Sequence, residues 1–162
     1  MREILFKGKT KAITGCPYNN GKPDGKWVFG YVFSDLGAMK IRQYETDRPE
    51  CNDYEVDPGT VGQYTGLTDK NDVKIFEGDI VTGYFNYEKI IGYIFYGGNA
   101  HFFIQRDGIL GIGLDNADCW LEVIGNIHDN PELLEKVAKD IAADAAQSGL
   151  APATENFELM EG

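Results

Sequence analysis

The sequence predicts a mainly β protein: a small N-terminal β subdomain, an SH3-like β-barrel and a C-terminal α-helix. Three observations predict it. Short aromatic and β-branched runs recur through the first 129 residues, separated by Gly, Pro, Asn and Asp, which is the punctuation of strands and turns. The stretch 54–81 packs three turn signals, Asp57-Pro58-Gly59, Asp69-Lys70-Asn71-Asp72 and Glu77-Gly78-Asp79, between apolar pieces too short for a helix. After Asn130 the apolar period becomes helical, with Leu133, Leu134, Val137, Ala138, Ile141 and Ala145 on one stripe. These readings divide the chain into a β subdomain over 1–65, the barrel over 66–129, the helix over 130–148 and a flexible acidic tail over 149–162.

Ile4-Leu5-Phe6 reads as a first strand, followed by Lys7, Lys9 and Lys11, which suit a solvated edge guarded by Lys. Residues 15–25 hold Gly15, Pro17, Asn19, Asn20, Gly21, Pro23 and Gly25 and form a loop. Trp27 to Phe33 is apolar on both alternating faces, so it reads as an interior strand covered on two sides. Leu36-Gly37 turns it into a second strand, where Met39 and Ile41 alternate with Lys40 and Arg42. Past the polar connection 45–53, three aromatic runs follow around Tyr84-Phe85, Ile90 to Tyr96 and Phe102 to Ile104. Their spacing suits a small meander or barrel. In the last run, Trp120 to Ile127, Gly125 predicts a bulge or a close backbone approach. Asn130 and Pro131 are a good N-cap and first residue for the helix, and Gly149 is a plausible stop. That helix needs an apolar surface, either the barrel or a neighbouring subunit.

The runs Gly62-Gln63-Tyr64-Thr65-Gly66-Leu67, Asp69-Lys70-Asn71 and Ile75-Phe76-Glu77-Gly78-Asp79-Ile80-Val81 resemble the signature of the YopX-like proteins of phages and prophages. Met1 to Gly8 resembles the family's opening, Lys26 to Gly30 its next strand and Glu122 to Leu134 its close. The resemblance spans roughly residues 1–134 in the expected order. The chain departs from the pattern in the polar insertion between Thr10 and Gly25, in the tail after Leu134, and at Asp72, where relatives often carry Gly. The resemblance implies a mostly β phage protein with no established catalytic residues, so no site residues carry over from it.

Composition narrows the partners. In 162 residues there are 15 Lys and Arg against 26 Asp and Glu, a net charge of -11. The charge is 0 over residues 1–65, -6 over 66–129 and -5 over 130–162. Such a chain repels phosphates, and non-specific nucleic-acid binding rests on Lys and Arg, so nucleic acid is disfavoured. Cys16, Cys51 and Cys119 are odd in number and widely spaced, which fits a reducing compartment and no disulfide framework. Arg2 and Glu3 break the order of a signal peptide and no run reaches the length of a membrane span. The expected location is the cytoplasm of a bacterial host, with no membrane partner.

Candidate chemistry is sparse. Cys16, Cys51, Cys119, His101 and His128 lack metal-ligand spacing, and no cofactor or metal is expected. Glu77 and Asp79 flank Gly78 as paired carboxylates would, but turn chemistry explains them; Asp107, Asp115 and Asp118 are also ordinary turn residues. Gly108 to Gly113 imitates a phosphate loop without the following helix or Lys. The eight Phe and Tyr between 84 and 103 fit core packing, with a protein-binding groove as the functional competitor and a base-stacking platform short of cations. The leading expectation is a non-enzymatic accessory protein acting through protein contacts, including self-assembly through the helix. Alternatives are a nucleic-acid-associated module using Lys7, Lys9 and Lys11, and an enzyme with carboxylates around Glu77 or Asp115. In the tail, Phe157, Leu159 and Met160 stand among Glu155, Glu158 and Glu161 and are candidate partner contacts; a plain flexible tail is the other reading.

Overall fold

A computed structural model describes residues 3–11, 25–43, 53–106 and 109–135. The helix expected past Glu135, the tail with Phe157, Leu159 and Met160, and Cys16 and Cys51 lie outside the described residues. The described chain is mainly β, in two antiparallel sheets. β1 (Phe6–Lys9), β2 (Trp27–Asp35), β3 (Ala38–Arg42), β4 (Asp53–Glu55), β5 (Gly62–Thr68) and β6 (Lys74–Phe76) form the first, in the order β4-β3-β2-β1-β5-β6. β7 (Asp79–Phe85), β8 (Glu88–Tyr96), β9 (Phe102–Arg106), β10 (Ile109–Gly113) and β11 (Glu122–Asn126) form the second, in the order β10-β9-β8-β7-β11.

The first sheet rolls on itself. Thr10 bridges to Val56, the Asp57 N–H donates to the Lys9 carbonyl at 2.9 Å, and the Lys11 N–H donates to the Glu55 carbonyl at 2.9 Å, so the end of β1 meets the end of β4. The roll encloses Val28, Ile41 and Val56. Gly8 makes it possible, because a Cβ there would stand 3.1 Å from Ile41 Cδ1 and 3.2 Å from Val56 Cβ. Two expectations are corrected here. β1 is an interior strand between β2 and β5 rather than a Lys-guarded edge. β2 is central in its sheet but covered on one side only, with Val28 and Gly30 buried and Phe29 and Tyr31 exposed.

In the second sheet β7 to β10 run as a meander and β11 returns beside β7. The pairing leaves β10 and β11 as the two outer strands, so the sheet is open and the expected closed barrel is not formed. Register shifts interrupt the ladders of both outer strands, between Ile109 and Ile112 and between Val123 and Gly125. The connection between them carries a short helix, α1 (Ala117–Trp120), unannounced by the sequence pattern. Its Leu114, Ala117 and Leu121 share a core with Val81, Ile90, Ile94 and Ile104, so this connection covers the core where a closing ladder is absent. Ile75 of β6 joins that core from the first sheet. The irregularity expected at Gly125 is present: a Cβ there would lie 2.6 Å from Asn130 Oδ1. The Asn130 side chain accepts from the Asn126 N–H at 3.3 Å, while the helical turn over 132–135 begins with the Leu133 N–H on the Asn130 carbonyl.

Candidate functional site

Three polar contacts clasp the two sheets together. In the first, Lys7 from the middle of β1 is buried and its ammonium pairs with Asp79 at the start of β7, which is equally buried. The other Asp79 oxygen accepts the Phe76 N–H at 2.8 Å, so both are occupied. The ammonium lies 4.9 Å from the Trp27 ring centroid and 5.3 Å from that of Phe76, a cation between two aromatic faces. Burial pushes the Asp79 carboxyl up, against Lys7 and the Phe76 N–H, which favour its charged form.

The second contact is at the surface. Asp129 pairs with Lys9 and accepts the Trp27 indole N–H at 2.6 Å and the Asn126 amide at 3.0 Å. Lys9, then Asn126 and Trp27, hold its carboxyl well below the usual aspartate range. The His128 ring stands 5.9 Å from that of Trp27. The third contact is made by Asp69, which opens the β5–β6 turn. Its Oδ1 accepts the N–H groups of Asn71 and Val73 at 2.8 and 2.9 Å, and its Oδ2 takes the Val123 N–H of β11 at 2.9 Å. Burial alone would raise this carboxyl; the three donors outweigh it and bring it below its ordinary value. The neighbouring Lys70 N–H donates to the Leu121 carbonyl at 2.9 Å. Each of these groups is engaged in holding the two sheets together.

The tip of the β7–β8 hairpin is different, because its side chains are exposed. Phe85 pairs with Glu88 across a two-residue loop, Asn86-Tyr87, whose φ angles of 50° and 67° are both left-handed. That is the conformation of a type I′ turn, which favours Asn then Gly. Tyr87 occupies the Gly position fully exposed, and Tyr84 and Phe85 beside it are 69% and 41% exposed. Trp120 lies against this hairpin, its ring centroid 5.8 Å from that of Phe85 and its indole N–H on the Asp115 carbonyl at 2.9 Å. Gly83 makes room for it: a Cβ there would stand 2.8 Å from Trp120 Cε3. The result is a packed Phe85–Trp120 pair at one end of the second sheet, with Tyr84 on the opposite side of the hairpin and Tyr87 in its turn, both exposed.

The residues singled out in the sequence fall apart in space. Lys7 and Lys9, expected as surface cations, are ion-paired within the fold; Lys11 is exposed. Asp79 answers to Lys7 and the Phe76 N–H rather than to Glu77. Asp115 is exposed just before α1, Asp118 is exposed on it, and Cys119 is an exposed thiol on it. His101 is exposed near Phe103, with a ring separation of 6.1 Å. The imitation phosphate loop is in its described part strand β10. Among the described residues no three His, Cys, Asp or Glu side chains gather as metal ligands, and no helix is long and apolar enough to cross a membrane. Sequence reasoning missed Trp27 and Asp129, whose contact joins positions 102 apart, and Tyr87, whose signal was Asn86 followed by a residue other than Gly.

Fold and contacts define a two-sheet antiparallel β protein fastened by internal ion pairs. A family model described as YopX protein matches residues 31–135, from β2 to the helical turn after β11, which is more than half of the 162 residues. The chain belongs to this family. Lys7, Lys9 and Trp27 lie outside the matched stretch, while their partners Asp79 and Asp129 lie within it. A comparison with curated proteins found no match.

Proposed function

We propose that the protein is a non-enzymatic phage or prophage accessory protein that acts in the bacterial cytoplasm by binding another protein through the β7–β8 hairpin. The observation that carries this reading is the set of exposed aromatics at the hairpin tip, above all Tyr84 on the paired strand β7 and Tyr87 in the tight two-residue turn that follows it. Aromatic side chains present large contact area with few torsions to freeze, which suits recognition. The internal pairing of Lys7 and Lys9 supports the same reading against nucleic acid, since it removes two cations that a phosphate contact would need. The strand order β10-β9-β8-β7-β11, with α1 before the last strand, is compatible with an open SH3-like arrangement of the second sheet; this analogy of fold carries no activity with it. The test is affinity capture from lysogen-bearing cells with the full chain and with a Tyr84→Ser, Tyr87→Gly double variant of matched thermal stability. The reading expects a captured polypeptide that the double variant loses. A capture profile identical for the two proteins contradicts it.

A further inference from the structure

The hairpin has two unlike sides. Register places Phe85 opposite Glu88 on the side that carries Trp120, and Tyr84 opposite Lys89 on the other, because directly paired residues share a face. Glu88 shares this side with Phe85 by register, the Asp115 carbonyl accepts the Trp120 indole N–H at 2.9 Å, and Asp118 lies on α1 two residues before Trp120. All three carboxylates are exposed, and none takes part in the ion pairs found among the described residues. Lys89 faces the other way. Glu88, Asp115 and Asp118 are part of the -6 that residues 66–129 carry as a whole.

We propose that this side of the hairpin binds a cationic polypeptide segment, with Arg or Lys side chains laid on Phe85, Trp120 and Tyr87 and paired to Glu88, Asp115 and Asp118. The inference rests on the interaction reading given above and adds the chemistry of the partner. An aromatic face attracts a cation through its quadrupole, and flanking carboxylates supply the charge that fixes it. Tyr87 is the second support. It holds a left-handed conformation that disfavours a Cβ, and full exposure means that no burial within the chain offsets the strain. Other occupants fit worse: a second copy brings another -11 to the contact, and nucleic acid or an anionic lipid surface brings negative charge to a negative face.

The test is a heteronuclear NMR titration of the full chain with three short synthetic peptides of equal length, alternating Ser with Arg, with Gln or with Glu. The proposal expects the Arg peptide to shift the Trp120 indole and the Tyr87 and Glu88 amides, to bind more weakly as salt is raised, and to lose about fivefold or more in affinity in a Tyr87→Gly, Glu88→Gln variant. Equal shifts from the Gln peptide, or shifts confined to other surfaces, overturn the cationic partner. In that case the capture experiment still decides the interaction reading separately: a polypeptide lost with Tyr84→Ser, Tyr87→Gly keeps that reading and discards the charge, and an unchanged profile discards both.

Discussion

At the scale of single residues, charge at the sheet junction is placed where it can be neutralised. Asp129 gathers Lys9, Asn126 and the Trp27 indole around one surface carboxylate and is held below the ordinary aspartate value of 3.8. A group depressed in the folded state contributes stability in full above 3.8 and loses it as pH falls toward its folded value. Asp129→Asn therefore lowers stability at neutral pH, by about 0.5–1 kcal/mol because the pair is partly solvated, and its deficit shrinks as the pH drops below 3.8. Urea melts of both proteins across that range check this; a deficit independent of pH contradicts it. Leu36 gives a second expectation at this scale. It sits fully exposed at φ 49° in the β2–β3 turn, directly before Gly37 at φ 82°. Leu36→Asn creates the preferred Asn-Gly pair of a type I′ turn and raises stability by roughly 0.5–1 kcal/mol in chemical melts, whereas an unchanged or lower midpoint denies the strain.

At the scale of elements, the β7–β8 hairpin combines local strain with an aromatic surface. Tyr87→Gly relieves the left-handed position and stabilises the fold by about 0.5–1 kcal/mol after the added freedom of Gly in the unfolded chain is subtracted. Thermal melts that show a loss refute this account of the turn. Gly83→Ala acts oppositely, since the new Cβ meets the Trp120 carbonyl at 2.5 Å and its ring at 2.8 Å. Displacing Trp120 costs about 1–3 kcal/mol and alters the Trp120 indole resonance, while an unchanged resonance contradicts the packing. These elements also show what the residues could reveal. Alternation and Gly-Asn punctuation marked β7, β8 and β9, and Gly125 marked the irregular β11, because those signals are local. The turn at Leu36-Gly37 was legible for the same reason. β10 hid behind its glycines and α1 behind its brevity, since four residues carry no helical period. The exposed cluster needed tertiary information: aromatic richness was visible, but which aromatics face solvent depends on where Trp120 folds back over Gly83.

At the scale of the whole molecule, the two sheets are joined by contacts that distance along the chain concealed. Lys7 and Asp79 are 72 residues apart, and a Lys in an N-terminal run reads as solvated until a carboxylate from the other sheet is found against it. The strand β1 is then an interior element, and its Lys is buried between Trp27 and Phe76. With Asp69 fastening the β5–β6 turn to β11, and Trp27 and Lys9 fastened to Asp129, both sheets are expected to fold as one unit around the Lys7–Asp79 pair. Removing one partner of a buried pair leaves the other uncompensated, at a cost of about 3–5 kcal/mol. Native-state hydrogen exchange on Lys7→Met is the direct measurement. Amides of β2 in the first sheet and of β7 and β8 in the second are expected to lose protection together, by roughly two orders of magnitude or more, and Lys7→Met with Asp79→Asn, which keeps an acceptor for the Phe76 N–H, to recover part of it in both. Loss confined to the first sheet, with β7 and β8 protected as before, would contradict it.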